Sequence, residues 1–405
     1  MVNLNFAPNE NFTDALKSLL ILCQPQTWYR KKTIKKTQQK LAHLFQVKNG
    51  AVFLALSARG ALRAVLKSLD LPQDSEVVVQ AFICAAVVLP IKECRLKPRF
   101  VDIETTSFSF DLESLRKTIS AKTKVIILQH SFGITPKNRS QVLSLAQKNN
   151  ILVIEDLAHG FEPKIFQTDQ DLPTIKLLSF GRSKALSCVH GGAVLIPQKD
   201  INQKFKTVFD NFSYPGRIFI FKSLLYKFTS PIIVATYRYG LGKVVHTLLI
   251  KLSCITRELS VTEKVGRYDY WLDKKLPAAL ANFLIPQLDQ YEELVKRRQN
   301  VAKLYIEYLH SEKNRDVKQH LPIVRFPLLV KRRDDVMQKM KIAGFILGDW
   351  YTQPVAPNGV NLESLGFIKG SCPVAERVCT KIINLPLVLN TSQASELAKT
   401  LQGLL

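Results

Sequence analysis

Two short apolar runs, each followed by polar residues, constrain this chain more than any other feature of its sequence. The first run spans residues 151–154 and the second spans residues 175–178. Runs of this length and composition are typical of buried strands. In an open α/β sheet, ligands bind at the carboxyl ends of the strands, so the polar residues that follow are predicted to share one site. Those residues are Asp156, His159, Ser179 and Lys184.

These four residue types together suit the cofactor pyridoxal 5′-phosphate (PLP). A carboxylate beside the pyridine nitrogen keeps that nitrogen protonated, and a lysine forms a Schiff base with the cofactor. An imidazole can stack on the ring, and a hydroxyl can bind the phosphate. Each residue also has an ordinary alternative: Asp156 as a helix N-cap, Lys184 as a solvated surface lysine, and His159 as a structural histidine. Their order and spacing favour the cofactor site.

The pattern E-D-x-A-H, S-F-x-x-x-K and G-G within residues 155–192 resembles the DegT/DnrJ/EryC1/StrS sugar aminotransferase family, which has the type I fold of PLP-dependent enzymes. By this resemblance, Asp156 pairs with the pyridine nitrogen and His159 stacks on the ring. Ser179 binds the phosphate, and Lys184 carries the cofactor. The family's usual G-E-G-G reads V-H-G-G here, which leaves the four cofactor positions in place.

Two earlier segments supply further cofactor-binding candidates. Residues 51–56 are predicted to form a strand that leads through a small-residue turn into a helix, whose N-terminus can bind an anion. The family holds the cofactor phosphate in this segment, and the matching positions are Ala58, Arg59 and Gly60. After a predicted strand at residues 76–80, the resemblance places Cys84 where the family usually has an aromatic residue, so no ring stacking is expected from this side.

The order of predicted elements gives the fold class. Strands alternating with helices through residues 51–197 predict a mainly parallel sheet. A long helix at residues 277–309, a strand at residues 345–351 and C-P-x-A-E and N-L-P segments near the end resemble the family's small domain. We expect an α/β fold with a three-layer α/β/α large domain like that of aspartate aminotransferase and a smaller α+β C-terminal domain. The expected domains are residues 1–275 and residues 276–405, the second beginning with the bridging helix.

Length and composition bound the class of protein. A chain of 405 residues with 46% hydrophobic residues is long enough for a large core and two domains. The net charge of +24 fits either a solvated basic surface or attraction to anionic partners such as nucleotide diphosphates, phospholipid headgroups or nucleic acid. Seven cysteines without a C-x-x-C pair or zinc spacing favour a reducing, cytoplasmic setting and no metal site. The polar residues 3–10 argue against a signal peptide. No uninterrupted apolar stretch reaches about 18 residues, so a membrane-spanning helix is not expected.

Two basic segments fit the family pattern poorly. Residues 200–272 interleave aromatic and basic residues, which predicts either an inserted helical subdomain with a solvated face or a surface that lies on an anionic membrane. No recognisable nucleic-acid motif accompanies them. A shorter basic run at residues 30–36 is predicted to be solvated and to precede a helix at residues 37–45.

The resemblance implies a function in amino-sugar and polysaccharide biosynthesis. The expected enzyme is a homodimeric cytoplasmic aminotransferase that passes an amino group from glutamate to a nucleotide-linked keto-sugar through a Lys184 Schiff base. The lysine at this position favours amino transfer over the family's sugar dehydratases, which have histidine there. Two alternatives stay open: another PLP-dependent reaction, and a non-enzymatic basic module that binds membrane or nucleic acid. A nucleic-acid partner is not expected, and weak contact with an anionic membrane surface is considered.

Overall fold

The computed structural model describes residues 9, 11–168, 173–251, 259–309 and 321–405. Most of the polar N-terminal stretch at residues 3–10, and Cys254, lie outside the described residues. The strands are β1 (Val52–Ala55), β2 (Glu76–Gln80), β3 (Ile83–Cys84), β4 (Lys97–Val101), β5 (Thr123–Gln129), β6 (Leu152–Asp156), β7 (Ile175–Ser179), β8 (Gly192–Leu195), β9 (Arg325–Leu329), β10 (Val355–Ala356) and β11 (Ile382–Pro386).

Helices surround these strands in the described part of the chain. They are α1 (Phe12–Leu22), α2 (Lys31–Leu44), α3 (Ala58–Ser68), α4 (Ala85–Glu93), α5 (Leu112–Thr118), α6 (Arg139–Lys148), α7 (Ile165–Thr168), α8 (Lys199–Asp210), α9 (Arg217–Thr236), α10 (Leu241–Lys251), α11 (Val261–Lys264), α12 (Ala278–Ala281), α13 (Leu284–Asp289), α14 (Tyr291–Leu309), α15 (Arg333–Ile342), α16 (Pro373–Cys379) and α17 (Thr391–Gln402).

A seven-stranded sheet in the order β1-β8-β7-β6-β5-β2-β4 forms the centre of the protein. Strands β4, β2, β5, β6 and β7 are parallel, whereas β8 runs antiparallel to both of its neighbours. The sheet is thus mainly parallel, as the alternating pattern predicts. Valine and isoleucine dominate its central strands because these strands are buried on both faces.

Alternate residues of the strands pack into separate cores on the two faces of the sheet. Val77 and Val79 of β2 contribute to a core that includes residues of α3, α4 and α8. Val78, which points to the opposite face, packs with residues of α5 and α6. Next to that second core, α2, α12 and α13 cover the same side of β1, β7 and β8. The protein therefore has the predicted three-layer α/β/α arrangement.

A smaller core lies in the C-terminal part of the chain. Strands β9 and β11 form an antiparallel pair, and residues of α14, α15 and α17 pack on it. Parallel pairing of β3 with β10 connects this part to the first 100 residues. The predicted domain boundary at residues 275/276 stays a prediction, since α12 and α13 beyond it pack in the core of the large sheet.

Three predicted elements are wrong in their extent. The helix expected over residues 277–309 is divided into α12, α13 and α14, and Pro286 within α13 lacks the N–H that a continuous helix would need there. The strand expected at residues 345–351 is irregular, with isolated bridges at Phe345 and Gly348, and Gly348 pairs antiparallel with Asn384. The basic run at residues 30–36 belongs largely to α2, because lysine is a good helix former.

Helix α9 differs from the expectation that no segment is long and apolar enough to cross a membrane. An 18-residue window within its 20 residues has a mean hydropathy of 1.5, which meets that criterion by length and composition alone. The basic residues of α9 interrupt the apolar run, but the mean hydropathy of the window stays high. Slightly under half of the apolar window, 44%, is buried inside the protein.

Candidate functional site

The carboxyl ends of the central strands form one wall of a cavity of about 330 Å³. Asp156 at the end of β6 pairs in register with Gln129 of β5 and Leu177 of β7, and all three line the cavity. Ser179 at the end of β7 lies opposite Gly192 of β8. Seven of the eight predicted site residues line the cavity, namely Ala58, Arg59, Cys84, Asp156, His159, Ser179 and Lys184.

Asp156 presents a deeply buried carboxyl to this cavity. Its Oδ1 accepts a hydrogen bond of 3.0 Å from the backbone N–H of Ala158. Burial raises the pKa of Asp156 to about 6, against the opposing effects of the Ala158 N–H and of the positive charge on Lys184. Near pH 6 the carboxyl group is therefore divided about equally between its protonated and its ionised form. A cationic group placed beside it would favour the anion.

Lys184 lies in the loop that joins β7 to β8, where the chain reverses direction. Its backbone N–H donates to the Gly181 carbonyl at 3.1 Å, which closes a turn. Its ammonium group lies 4.8 Å from the centroid of the Trp350 ring. That distance permits a cation–π interaction, so the aromatic surface nearest the amine comes from Trp350.

His159 is held as a neutral imidazole by its hydrogen bonds. The Phe132 backbone N–H donates to Nδ1 at 3.0 Å, so the ring proton is assigned to Nε2, which donates to the Tyr351 hydroxyl oxygen at 2.9 Å. Burial, with the charges of Lys184 and Arg325, holds the pKa of His159 well below its usual range. This imidazole therefore does not take up a second proton at neutral pH.

One face of His159 is already covered by an aromatic side chain. Its ring stacks on Trp350 with a centroid separation of 5.0 Å and an interplanar angle of 24°. The Arg325 guanidinium lies 3.9 Å from the centroid of the same indole. The predicted stacking of His159 on a cofactor ring stays a prediction, and it would use the face away from Trp350.

The N-terminus of α3 opens on the cavity through Ala58 and Arg59. Ser57 caps this helix, and its Oγ accepts the Gly60 N–H at 2.9 Å. The structure therefore does not bring Gly60 to the cavity: its N–H is already used, and it packs against Leu272. The Arg59 side chain forms an ion pair with Glu263. The backbone N–H groups at the helix start add partial positive charge beside the cavity.

Close backbone packing supports this helix N-terminus. Gly192 of β8 lies against Ser57 and Ala58, and a Cβ atom at Gly192 would overlap their backbone atoms. Gly192 also pairs with Ala55 of β1 and with Ser179 of β7. The absence of a side chain therefore allows the two strands and the helix start to meet at one edge of the cavity.

Several cavity residues were missed by sequence reasoning. His190 and Arg182 lie in the loop that carries Lys184, while Trp271 comes from the chain before α12. Burial, and then the charges of Arg182 and Arg59, lower the pKa of His190 to about 3, so this wall carries positive potential. From the sequence, His190 is identified only as a departure from the family's glutamate. Its closeness to Lys184 in the sequence was the feature that could have identified it as a cavity residue.

A buried polar cluster lies outside the residues that line the cavity. His130 Nε2 contacts Glu155 at 3.0 Å, and Glu155 also accepts hydrogen bonds from Arg139 and Thr174. His130 is therefore a structural member of this cluster. Among the described residues no group of three or more His, Cys, Asp or Glu side chains is arranged to hold a metal ion.

The residues at the cavity fit PLP by their chemistry. Asp156 supplies a buried carboxyl for a protonated pyridine nitrogen, and Lys184 supplies an amine. The start of α3, with the Ser179 hydroxyl, offers donors for a phosphate group. These three groups of residues line one cavity, as a ligand with a cationic ring, a carbonyl and a phosphate requires.

Several known proteins are similar to this chain over most of its length. The "Pleiotropic regulatory protein" of Geobacillus stearothermophilus is 23% identical over 364 residues, covering 87% of this chain and 84% of that protein. The UDP-2-acetamido-2-deoxy-3-oxo-D-glucuronate aminotransferase of Pseudomonas aeruginosa is 23% identical, with coverages of 84% and 82%. The crystal structure of NtdA from Bacillus subtilis, with its bound cofactor PMP, superposes with a TM-score of 0.69 at 16% identity, with coverages of 96% and 82%.

The family itself is shown by a match across most of the chain. The sequence pattern of the DegT/DnrJ/EryC1/StrS aminotransferase family matches residues 10–218 and 261–401. The enzymes of this family use PLP to transfer amino groups. This chain belongs to the DegT/DnrJ/EryC1/StrS family of PLP-dependent sugar aminotransferases.

Proposed function

We propose that this enzyme transfers an amino group from glutamate to a nucleotide-linked keto-sugar. The observation that supports the proposal most is the shared cavity of Lys184 and Asp156, in which the lysine charge acts on the carboxyl. The named activity of the Pseudomonas aeruginosa relative, on a UDP-linked oxo-sugar acid, supports the substrate class.

Positive potential in the cavity also supports an anionic substrate. Arg182 lines the cavity, and Arg59 lies at the start of α3. Both charges lower the pKa of His190, which shows that their fields reach the cavity wall. A nucleotide diphosphate and the carboxylates of glutamate would each be attracted to such a surface.

In the proposed mechanism, PLP would supply an electron sink for the reaction at the carbon that carries the amino group. Lys184 would hold the cofactor covalently. Its Nζ would also be the group that takes a proton from the donor's α-carbon and gives one to the sugar carbon that receives the amino group. Asp156 would keep the ring nitrogen protonated, because its carboxylate is the buried counter-charge for that proton.

The remaining cavity residues are assigned supporting roles. The N–H groups at Ala58 and Arg59, with the Ser179 hydroxyl, bind the phosphate. His159 stays neutral and positions Tyr351 through the 2.9 Å hydrogen bond. Trp350 covers His159 and lies beside the Lys184 amine, where it excludes water from the reacting atoms. Cys84 lines the cavity at the position where the family usually has an aromatic residue.

A homodimer in the cytoplasm is part of the same proposal. Sedimentation equilibrium of the purified protein measures the oligomeric state. A monomer at all concentrations would contradict the dimer.

The substrate assignment is tested with the purified enzyme, glutamate and a panel of nucleotide-linked keto-sugars, following 2-oxoglutarate. We expect 2-oxoglutarate to form only when a keto-sugar is present. Lys184→Ala should abolish both turnover and borohydride-dependent fixation of the cofactor, whereas Lys341→Ala, at an exposed position on α15, should retain both. If Lys184→Ala still fixed the cofactor, the lysine assignment would be wrong; if no sugar in the panel consumed glutamate, the substrate assignment would be wrong.

A further inference from the structure

Helices α9 and α10 lie where the family's sequence pattern does not match this chain. The pattern matches residues 10–218 and resumes at residue 261, so nearly all of α9 and all of α10 fall between the two matched parts. Helix α9 packs along α1, which lies within the matched residues, and also against α10. We call these three helices the α1/α9/α10 unit. The surface that α9 and α10 contribute to it is thus not accounted for by the family's sequence pattern.

The polarity of α1 is reversed relative to that of an ordinary surface helix. Its polar residues Asp14 and Ser18 are 7% and 0% exposed. On the opposite face, Phe12, Leu16 and Leu20 recur every four residues and are 60%, 65% and 64% exposed. A helix that packs in water normally buries its apolar stripe. This one turns the apolar stripe outward.

The buried polar groups are satisfied within the unit. Lys227 of α9 is fully buried, and its ammonium pairs with the Asp14 carboxylate at 2.9 Å. The Ser18 hydroxyl donates to the Leu224 carbonyl at 2.7 Å. Because a buried charge without a partner would be costly, these contacts fix which faces of α1 and α9 meet. The outward position of the apolar faces therefore follows from the packing of the described residues.

The exposed apolar surface continues over the other two helices. Ile218 and Phe221 on α9 are 75% and 48% exposed, and Leu241, Val244 and Leu248 on α10 are 58%, 66% and 54% exposed. Single exposed apolar residues are ordinary on a protein surface, but a group of this size on adjacent helices marks an interaction site.

The charge of the segment that contains α9 and α10 indicates what kind of partner it suits. Residues 211–251 contain six basic residues and no acidic residue. The six are Arg217, Lys222, Lys227, Arg238, Lys243 and Lys251. Helices with exposed apolar residues flanked by lysine and arginine bind at the boundary between the acyl chains and the headgroups of anionic lipids.

Two other occupants fit less well. A second copy in a two-fold arrangement would bring the same cations face to face, with no acidic residue in residues 211–251 to neutralise them. A spanning arrangement would need α9 to leave the protein, where 44% of its apolar window is buried. It would also have to break the buried pair of Lys227 with Asp14, which ties α9 to α1. Helix α10 is too short to span, since its 11 residues extend about 16 Å against a hydrocarbon core of about 30 Å.

We propose that the α1/α9/α10 unit docks this enzyme on the surface of an anionic membrane. Its exposed apolar residues enter the interface, and its lysine and arginine residues other than the buried Lys227 meet the lipid phosphates. The docked surface lies beside the active-site cavity: the Arg182 guanidinium is 5.3 Å from the Tyr226 ring of α9, and the His190 and Phe219 rings are 5.0 Å apart. Docking therefore holds the cavity next to the bilayer.

The test is co-sedimentation of the full-length enzyme with vesicles of phosphatidylglycerol and phosphatidylcholine, and with vesicles of phosphatidylcholine alone. We expect binding to the anionic vesicles that weakens at high salt. A triple variant, Leu16→Gln with Leu20→Gln and Phe221→Gln, should lower that binding at least tenfold. The matched control is Ile342→Gln with Ile368→Gln, two residues outside the unit that are 80% and 73% exposed, and it should bind as the unaltered protein does.

A charge variant and a folding check complete the experiment. Lys243→Gln with Lys251→Gln should weaken binding at low salt and reduce its salt dependence. Circular dichroism and the cofactor absorption band should be unchanged in every variant used. The proposal is overturned if the enzyme ignores anionic vesicles or binds neutral ones equally. It is also overturned if the triple variant binds anionic vesicles normally, or if the only effect of that variant is to convert a dimer to a monomer. A third contrary result would be that alkaline carbonate fails to release the bound enzyme, because such resistance is expected of a membrane-spanning helix.

Discussion

His159 and Tyr351 are joined by a hydrogen bond of 2.9 Å between the imidazole Nε2 and the phenol oxygen. They are separated by 192 positions in the sequence, and both side chains are buried. The bond connects the turn after β6 to the irregular segment that precedes β10. It therefore couples the strand end that carries Asp156 to the aromatic residues that face Lys184.

Replacing Tyr351 with Phe removes the partner of the His159 Nε2–H and leaves that donor buried. An unsatisfied buried donor costs about 1–3 kcal/mol, so we expect a loss of this size in the free energy of unfolding measured by urea denaturation. Affinity for PLP, measured from the cofactor absorption band, should fall as well.

The control for this substitution is Tyr239→Phe, because Tyr239 is 80% exposed. It should change neither quantity measurably. An unfolding free energy for Tyr351→Phe equal to that of the control would show that the His159–Tyr351 bond contributes nothing to the site.

The residues on one strand edge were predictable from the sequence, but their partners from distant segments were not. Asp156 and Ser179 follow apolar runs directly, and the parallel register places both at the carboxyl edge. Trp350 and Tyr351 reach the same cavity only through tertiary packing, so the local pattern suggested nothing more than a strand. The Asn384 side chain, which bonds the Trp350 backbone at 2.7 and 2.8 Å, replaces the expected strand pairing.

Asp102 illustrates the same limit. Its local sequence, at residues 100–103, indicates either a plain strand end or a residue that supports substrate or loop geometry. In the structure its carboxylate accepts the backbone N–H groups of Val374 and Ala375, each at 2.9 Å, at the start of α16. Such a cap between residues 272 positions apart has no local signature, because the capping residue normally directly precedes its helix.

The raised pKa of Asp156 predicts a stability that depends on pH. Its folded-state pKa of about 6 lies above its ordinary value of 3.8, so between these values the folded protein binds more protons than the unfolded chain. The free energy of unfolding should therefore fall as pH rises through this window. For the cofactor-free protein the loss amounts to about 3 kcal/mol at most, since one pKa unit corresponds to about 1.4 kcal/mol.

Asp156→Asn tests this dependence, because an amide does not ionise. The cofactor-free variant should be more stable than the unaltered protein at pH 8 and equally stable near pH 4, as measured by urea denaturation. With PLP added the order should reverse, since only the carboxylate balances the ring proton. Asp334→Asn, at a side chain that is 94% exposed, serves as the control. Parallel pH profiles for Asp156→Asn and the unaltered protein would contradict the account of this carboxyl.

The buried Glu155 cluster should be a major source of stability. Burial alone would raise the pKa of Glu155, but hydrogen bonds from His130 and Arg139 and their charges outweigh it and hold the pKa far below the usual range. Glu155→Gln removes the charge that balances buried Arg139. We expect a loss of about 3–5 kcal/mol in the free energy of unfolding at pH 7, the cost of breaking a buried ion pair.

The matched control for Glu155→Gln is Glu113→Gln, which breaks an exposed ion pair with Arg116. An exposed pair of this kind contributes at most about 1 kcal/mol. Equal losses for the two variants would mean that Glu155 is far less important to the fold than its burial and its partners indicate.

Gly192 should be required for the phosphate-binding end of the cavity. A methyl group at this position would overlap the backbone of Ser57 and Ala58, which cannot move without shifting the start of α3. We expect Gly192→Ala to lower the free energy of unfolding by about 1–3 kcal/mol, the usual cost of overpacking. Because the displaced N–H groups are the ones assigned to the phosphate, affinity for PLP should fall more than affinity for pyridoxal, which lacks the phosphate.

The comparison of the two ligands separates a local effect from general destabilisation. Gly50→Ala provides the control, since no atom lies within 4 Å of the added methyl group and the backbone there needs no left-handed conformation. It should leave both affinities unchanged. If Gly192→Ala weakened PLP and pyridoxal by the same factor, the start of α3 would not be the phosphate site, and the assignment of Ala58 and Arg59 would have to be abandoned.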